Sequence, residues 1–228
     1  MAAAKLYAIP GSHPSRTGEL MLVHKGIDYE RVNLPAGPHR LLVRLRGFPG
    51  WTVPAIALDG RKMQGTRSIA RDLDLAVPEP RLLPADGSLR ARVEEAERFG
   101  EQVLQPRARR IAAAAGTNDP DGLYARGREG RLGVLLARND RQRRAIGRLV
   151  VLVFGATARV QREDRERIGG DLDRVDAWVA EGVLNGEQLN AADLQIATSL
   201  ALLDYVVWLR PELQRRPLYA LLDRVLPL

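Results

Sequence analysis

The sequence contains no cysteine. It can therefore form no disulfide, no thiolate metal site and no cysteine nucleophile. Histidine is also scarce: only His13, His24 and His39 occur, and no two of them have the spacing of metal ligands on one element. Imidazole and thiolate are the commonest ligands of transition metals in proteins. The sequence therefore predicts no metal centre.

Long apolar runs are also absent. The longest, residues 149–154, is far shorter than the roughly 20 residues of a membrane-spanning helix. The first residues, Met-Ala-Ala-Ala-Lys, lack the apolar stretch of a signal peptide. We therefore expect no membrane partner and a cytoplasmic location.

Lysine and aromatic residues are few. The chain has 35 basic residues, of which three are lysine, so 35 − 3 = 32 are arginine, and the net charge is +7. Aromatic residues make up 5%, and the arginine-rich stretch 138–167 is interrupted by Asp140, Glu163, Asp164 and Glu166. Mixed charge of this kind is typical of solvated helix faces. The sequence therefore predicts no nucleic-acid partner.

What remains is an ordinary globular composition. The chain has 228 residues, 45% of them hydrophobic and 28% charged, which suffices for one or two domains with a buried core. The predicted elements of the first part are, in chain order, strand 6–9, helix 16–25, strand 29–34, helix 41–45, strand 51–58, strand 61–63 and helix 67–75. Asp59-Gly60 predicts a type I′ hairpin turn. This order, βαβ followed by ββα, predicts a mixed sheet with a parallel first pair.

The rest of the chain predicts helices. Residues 77–84 contain three prolines and cannot continue a helix. We therefore predict domains at 1–76 and 89–228, joined by a proline-rich linker, 77–88. The helices are predicted from 88 to a kink or end at Pro106, and then at 123–138, 140–160, 169–182 and 191–208, with a polar gap at 116–121. Asn190 and Asp193 have the spacing of a capping box at the start of the most apolar helix.

Ser12 and Ser15 flank the predicted start of the first helix, where Pro14 suits the first turn. A strand that ends at a helix N-terminus presents free N–H groups and the positive end of the helix dipole to an anion. A hydroxyl there can donate a hydrogen bond to a bound thiolate. The alternative is that serine serves only as an N-cap, its commonest role in this position.

Several motifs resemble the glutathione S-transferase superfamily over the whole chain. Ser12-His13-Pro14-Ser15-Arg16 resembles the Ser-x-Pro-Ser/Cys-Arg motif of its serine-type classes, theta and delta among them. Val53-Pro54-Ala55-Ile56 is similar to Val-Pro-x-Leu, whose proline is cis. Gln64-Gly65-Thr66-Arg67-Ser68-Ile69 is similar to Thr-Glu-Ser-Arg-Ala-Ile, and the segment 190–193 resembles the family's capping box.

The resemblance implies a bacterial-type enzyme with a thioredoxin-like α/β domain followed by an all-α domain. It implies that Ser12 is catalytic and donates a hydrogen bond to the sulfur of glutathione, the co-substrate. Residues expected to bind the thiol are Ser15, His39, Val53, Pro54, Thr66 and Arg67, with Arg40 and Arg44 near the glycine carboxylate in a loose alignment. The family attaches thiols to small electrophiles in detoxification, or uses them in reduction, and forms homodimers.

Two features leave alternatives open. Gly65 replaces the family's glutamate, so the thiol is either glutathione or another small thiol, and a non-catalytic binding module is the alternative to an enzyme. Tyr7 is a rival hydroxyl donor, since other classes use a tyrosine near this strand. Alternation along the strand predicts that Tyr7 points to the opposite side of the sheet from the site.

Overall fold

The computed structural model describes residues 4–132 and 148–228. Its first part contains a four-stranded sheet with helices on both faces. The elements are β1 (Ala4–Ala8), α1 (His13–His24), β2 (Tyr29–Asn33), α2 (His39–Leu45), β3 (Ala55–Leu58), β4 (Arg61–Gln64) and α3 (Thr66–Ala76). The strand order is β2-β1-β3-β4; β1 and β2 are parallel, and β3 is antiparallel to both of its neighbours. The predicted βαβ-ββα mixed sheet is confirmed.

The two faces of β1 pack against different cores. Ala4, Leu6 and Ala8 are buried in the main core. Tyr7 points to the other face, where it meets Phe48 edge to face at 5.4 Å between ring centroids. Tyr7 thus lies on the opposite face of β1 from Leu6 and Ala8, as the alternation of side chains along a strand predicts.

The hairpin between β3 and β4 has the predicted turn, since Asp59 (φ 47°) and Gly60 (φ 80°) are both left-handed, as type I′ requires. The strand predicted from residue 51 was too long, because β3 begins only at Ala55. Pro54 has no N–H for the ladder. Before it, the chain is held by the Gln64 amide, which accepts from Gly50 N–H and donates to the Thr52 carbonyl, both at 2.6 Å.

The segment after α3 is fixed by a buried ion pair. The Lys25 side chain is fully buried, and its Nζ donates to Asp74 Oδ1 at 2.5 Å and to the carbonyls of Val77 and Pro80. The Asp74 carboxylate also accepts the N–H groups of Leu82 and Leu83. The proline-rich chain is therefore anchored to α1 and α3 through side chains.

The second part is helical throughout the residues described. Its elements are α4 (Gly87–Phe99), a π-helical turn (Gly100–Leu104), α5 (Gln105–Asn118), α6 (Pro120–Glu129), a helical stretch at 148–153, α7 (Ala158–Ala180), α8 (Ala191–Leu203), α9 (Arg210–Leu213) and α10 (Leu218–Val225). Every residue of α8 is buried, and α8 contacts α1, α3, α4, α5 and α10. It is the central helix that the sequence predicted. None of the helices described is long and apolar enough to cross a membrane.

The capping box of α8 is confirmed. Asn190 Oδ1 accepts the N–H groups of Ala192 at 2.9 Å and Asp193 at 3.2 Å. Asp193 Oδ2 accepts the N–H of Asn190 at 2.8 Å. Two of the unpaired donors at the start of a helix are satisfied reciprocally in this arrangement.

Several helix ends were predicted wrongly. The kink or end predicted at Pro106 lies slightly earlier, because α4 ends at Phe99 and the π-helical turn follows, while Pro106 lies in the first turn of α5, where no N–H is needed. The polar gap predicted at 116–121 is reduced to Asp119. The helices predicted at 140–160 and 169–182 were divided in the wrong place. The break is at left-handed Gly155, after which Thr157 caps α7. The parts of the predicted helices 123–138 and 140–160 that fall within 133–147 lie outside the described residues.

Helix α8 was predicted to reach residue 208 but ends at Leu203. Val207 and Trp208 are 50% and 40% exposed, so the apolar pattern continued beyond the buried helix into a surface turn. Hydrophobic periodicity alone could not separate the helix from the turn, because the residues of both are apolar.

Candidate functional site

Ser12 lies at the N-terminus of α1, directly after the end of β1. It is the N-cap, with extended backbone angles, and its Oγ accepts the Ser15 N–H at 3.4 Å. The side chain is partly exposed, and a hydroxyl that accepts one hydrogen bond still has its own hydrogen to donate. Ser12 thus acts as the cap and remains able to serve a ligand.

Ser15 differs from Ser12 in both burial and bonding. It is completely buried, and its Oγ accepts the Ile9 N–H at 3.1 Å, which ties α1 to the end of β1. Of the two serines in the motif, Ser12 is partly exposed, while Ser15 is buried and bonded to the end of β1.

His13, between Ser12 and Pro14, was not singled out from the sequence. It is 3% exposed, and its Nε2 has no hydrogen-bond partner within 4–132 and 148–228. Burial, and to a lesser degree the charge of Arg109, lowers the pKa of His13 well below its ordinary value. The imidazole is therefore neutral at neutral pH and adds no charge beside Ser12.

Pro54 lies directly before β3 and approaches both the middle of α1 and the residue before α3. The peptide Val53-Pro54 is cis, as predicted, and a Cβ added at Gly18 of α1 would lie 2.8 Å from the Pro54 Cβ. The Pro54 carbonyl accepts the N–H of Gly65, the residue before α3, at 3.1 Å. Val53 itself is partly exposed, and its main chain has no hydrogen bond to any residue the structure describes.

Thr66 begins α3 and is nearly buried. Its Oγ1 accepts from Gln195 Nε2 of α8 at 3.4 Å, so the helical part of the chain reaches the start of α3. Gln195 is 1% exposed, and its Oε1 has no partner among the residues described. Gln195 lies 129 positions from Thr66, and no local pattern in the sequence indicated the contact.

Gly65 takes the place of the family's glutamate in the motif. Its φ is +83°, a backbone conformation that residues with a side chain rarely adopt. A Cβ built at this position would meet no other atom within 4 Å. The structure therefore has open space in front of α3 where a side chain would otherwise stand.

The predicted basic residues lie apart from this centre or are already engaged. Arg67 Nη1 lies 3.6 Å from Glu101 Oε2 in the π-helical turn. His39 Nδ1 accepts the Gly37 N–H at 3.1 Å, and burial followed by the charge of Arg40 lowers the pKa of His39. In the part of the chain described, His39 bonds to none of the other predicted site residues. Arg44 donates to the carbonyls of Phe48 and Pro49.

The site has the elements of an anion-binding centre. The start of α1 carries the partly exposed Ser12, and the start of α3 carries Thr66. Val53 precedes cis Pro54, whose carbonyl accepts the N–H of Gly65 directly before α3. Both helix starts present positive dipole ends. The described residues contain no group of three histidine, aspartate or glutamate side chains arranged to hold a metal ion.

Comparison with known proteins agrees with this fold. Residues 6–81 match the family model for the N-terminal domain of glutathione S-transferase. Among solved structures, a glutathione S-transferase of Ceriporiopsis subvermispora in complex with glutathione is 17% identical, with a TM-score of 0.65 over 98% of this chain and 96% of that one. No curated protein matches the chain by sequence.

Two bacterial structures are equally similar. A glutathione S-transferase from Methylobacillus flagellatus with glutathione bound is 18% identical over 99% of this chain and all 100% of its own, with a TM-score of 0.65. One from Xanthobacter autotrophicus is 20% identical over 98% and 92%, with the same TM-score. The chain therefore has the glutathione S-transferase fold: a thioredoxin-like domain that matches the family's N-terminal domain, followed by a helical region.

Proposed function

We propose that this protein binds glutathione, or a similar small thiol, and activates its thiolate to attack a small electrophile. The observation that carries the proposal is the partly exposed Ser12 hydroxyl at the start of α1, within a domain that matches the glutathione S-transferase N-terminal model. Similar structures from Ceriporiopsis subvermispora and Methylobacillus flagellatus contain glutathione, which supports this choice of thiol.

Ser12 acts by favouring the ionised form of the thiol. A free thiol has a pKa of about 8.5, and a donor that bonds the thiolate lowers this value, with about 1.36 kcal/mol for each unit. The dipole of α1 acts in the same direction. The thiol proton passes to solvent, and the sulfur then forms a bond to the electrophile. In a conjugation the leaving group departs with its electron pair; in a reduction a second thiol completes a disulfide. No covalent bond to the protein is needed.

The remaining groups hold the rest of the thiol. The main chain of Val53, which precedes cis Pro54 and has no hydrogen bond of its own among the described residues, pairs with the cysteinyl part. The N–H and hydroxyl of Thr66 bind the γ-glutamyl carboxylate at the start of α3. Arg67, next to Thr66, adds positive charge. His39 lies on α2 and would bind the far end of the ligand. Ser15 supports the site from its buried position.

Gly65 favours a second candidate, a module that binds a ligand without turnover. The family's glutamate is a usual partner in the γ-glutamyl pocket, and here its place is open. Weak binding of glutathione, or binding of a different thiol, follows from that loss.

The finer assignments of class, role and location rest on the resemblance. We propose a serine-type, theta- or delta-like protein of bacterial type with a detoxifying role in the cytoplasm. We further propose domains at 1–76 and 89–228 with the linker 77–88. A homodimer is supported by apolar side chains left exposed on α3 and α4, Leu75 at 76% and Leu89 at 37%.

Turnover of an aryl halide with glutathione separates the two candidates. The enzyme predicts product formation that depends on both compounds and on Ser12. A panel of small thiols screened for thermal stabilisation gives the second readout, since a ligand at about 100 times its Kd adds about 2.7 kcal/mol. Stabilisation without turnover supports the binding module, and the absence of both contradicts the proposal.

A further inference from the structure

Helix α2 carries apolar side chains on the face that points away from the sheet. Val43 is completely buried in the small core beneath the helix and therefore marks its inner face. Leu41 and Leu45 each lie two positions from Val43, a rotation of about 200°, so they lie one turn apart on the outer face. They are 57% and 73% exposed, and Trp51, in the loop before β3, is 52% exposed.

The surface around these side chains is strongly positive. Residues 35–64 contain five basic side chains and a single acidic one, Asp59, so their net charge with His39 neutral is 5 − 1 = +4. This stretch thus holds more than half of the net charge of +7 that the whole chain carries. The five basic residues are all exposed: Arg40, Arg44, Arg46, Arg61 and Lys62.

The five positive charges are not neutralised within the protein. None of them forms an ion pair with a carboxylate in the part of the chain described, whereas Lys5 and Arg31 on the neighbouring strands each have a glutamate partner. The hydrogen bonds of Arg44 and Arg46 go to main-chain carbonyls, which carry no net charge. An anionic partner would therefore meet cations that need not first leave another carboxylate.

Two of the arginines lie over aromatic rings. The guanidinium carbon of Arg44 is 5.2 Å from the centroid of the Trp51 ring, and that of Arg46 is 5.4 Å from the centroid of Tyr7. Attraction between a cation and a ring holds a flexible side chain in place. The planar guanidinium also matches the geometry of a phosphate group.

A membrane surface fits this combination better than a protein does. The two leucines protrude from the convex face of a short helix, and a protein partner would need a fitted pocket for each, whereas the headgroup region of a bilayer deforms around them. Tryptophan is enriched at the membrane–water interface, and clusters of basic side chains attract anionic lipids. The sequence predicted no membrane partner because no apolar run could cross a bilayer, but binding at the surface needs no such run.

We infer that the outer face of α2 binds the surface of a membrane that contains anionic phospholipids. Leu41, Leu45 and Trp51 enter the headgroup region, and Arg46 and Lys62 bind the phosphates. This binding involves neither thiol nor electrophile and is therefore independent of the proposed function.

Sedimentation of the full chain with lipid vesicles tests the inference. The protein should bind vesicles of phosphatidylcholine mixed with phosphatidylglycerol, should bind phosphatidylcholine alone much less, and should be released by salt, which screens exposed charges. Arg46→Gln and Lys62→Gln should each weaken binding about fivefold, the worth of one basic residue near such a surface. Arg162→Gln, at an exposed position on α7, is the matched control and should bind like the parent.

Further variants separate the apolar contribution from the charge. Leu41→Ser combined with Leu45→Ser should weaken binding to the mixed vesicles and leave stability unchanged, because both side chains are exposed. Leu152→Ser, at a 77% exposed position in the helical stretch 148–153, is the control and should have no effect. Tryptophan emission should shift to the blue on binding, and Trp51→Phe should remove most of that shift.

Two results would overturn the inference: equal binding to the two kinds of vesicle, or binding that the leucine substitutions leave unchanged. Tighter binding to soluble polyglutamate than to the mixed vesicles would indicate an acidic protein as the partner of this face and would overturn it as well.

Discussion

Gln195 of the central helix α8 donates a hydrogen bond from its Nε2 to Oγ1 of Thr66, at 3.4 Å, across the junction of the sheet domain and the helices. The other atom of that amide, Oε1, is buried without a partner in the part of the chain described. Thr66 begins α3, where we place the carboxylate of the thiol. The bond therefore fixes the Thr66 hydroxyl, which belongs to the proposed site, from helix α8, which does not.

We expect Gln195→Leu to weaken thiol binding more than it weakens the fold. The Thr66 hydroxyl loses its donor, which should reduce thiol affinity between about twofold and tenfold, the worth of one neutral hydrogen bond. Stability should change by less than about 1 kcal/mol, because the substitution also removes an unsatisfied buried acceptor. Calorimetric titration and denaturant unfolding measure the two. Gln102→Leu, at an exposed position, is the control, and equal affinity in both variants would contradict this role.

The buried ion pair of Lys25 and Asp74 should contribute strongly to stability. Lys25→Met leaves the Asp74 carboxylate without its cation and should cost about 3–5 kcal/mol, as removal of one partner of a buried pair does. Lys5 pairs with Glu30 at 3.1 Å, but both side chains are more than half exposed. Lys5→Met should therefore cost less than about 1 kcal/mol. Similar unfolding free energies for the two variants would contradict the larger contribution to stability that we assign to the buried pair.

The capping box of α8 gives a separate stability test. Asn190→Ala removes the acceptor for two N–H groups and should cost about 1 kcal/mol. Asn190→Ser keeps a capping oxygen and should recover most of that loss. Denaturant midpoints of the three proteins measure the effect, and coincident midpoints would mean that the cap contributes nothing.

Glu19 should make stability depend on acid pH. Burial by itself would raise the pKa of Glu19, but hydrogen bonds from Arg16, Arg31 and Tyr29 outweigh it and hold the pKa below its ordinary value. The folded protein therefore binds this proton less tightly than the unfolded chain does. The stabilisation is present above the unfolded pKa, near 4.3, and is lost as pH falls through the lower folded value.

Glu19→Gln tests this dependence. The variant should be less stable than the parent at neutral pH by about 1.5–3 kcal/mol, the worth of hydrogen bonds to a charged group. Its stability should fall less steeply below pH 5, so the two unfolding curves should converge in acid. Parallel curves over that range would show that the Glu19 carboxylate does not titrate in this way.

The parts of this architecture that were predictable from sequence depend on short-range patterns. The order of the first seven elements, the Asp59-Gly60 turn and the capping box at Asn190 each follow from residues within a few positions of one another. Gly155 shows where such patterns failed: a glycine ended a helix there, while Gly169 and Gly170 lie inside α7. Whether a glycine ends a helix or lies within it depends on tertiary packing, such as the contact of α7 with α5. The periodicity of the sequence carries no information on that packing.

The candidate site, like the fold, was only partly predictable from the sequence. The motif around Ser12 and the different roles of Ser12 and Ser15 were predicted from the sequence, but the bond that Ser15 makes with the Ile9 N–H was not, because it depends on how α1 packs against the end of β1. Gln195 comes to Thr66 from a distant part of the chain. Contacts of this kind arise from tertiary packing and have no local signature.

The central claim is that Ser12 stabilises a bound thiolate, and the absorbance of that thiolate against pH tests it most directly. Glutathione bound to the parent should ionise well below a free thiol, and Ser12→Ala should raise the pKa of the bound thiol by about one to two units, for a charge-assisted bond worth roughly 1.5–3 kcal/mol. Ser15→Ala removes the acceptor of the Ile9 N–H, so it should lower stability and leave the titration unchanged. A titration of Ser12→Ala that coincides with the parent would contradict the assignment.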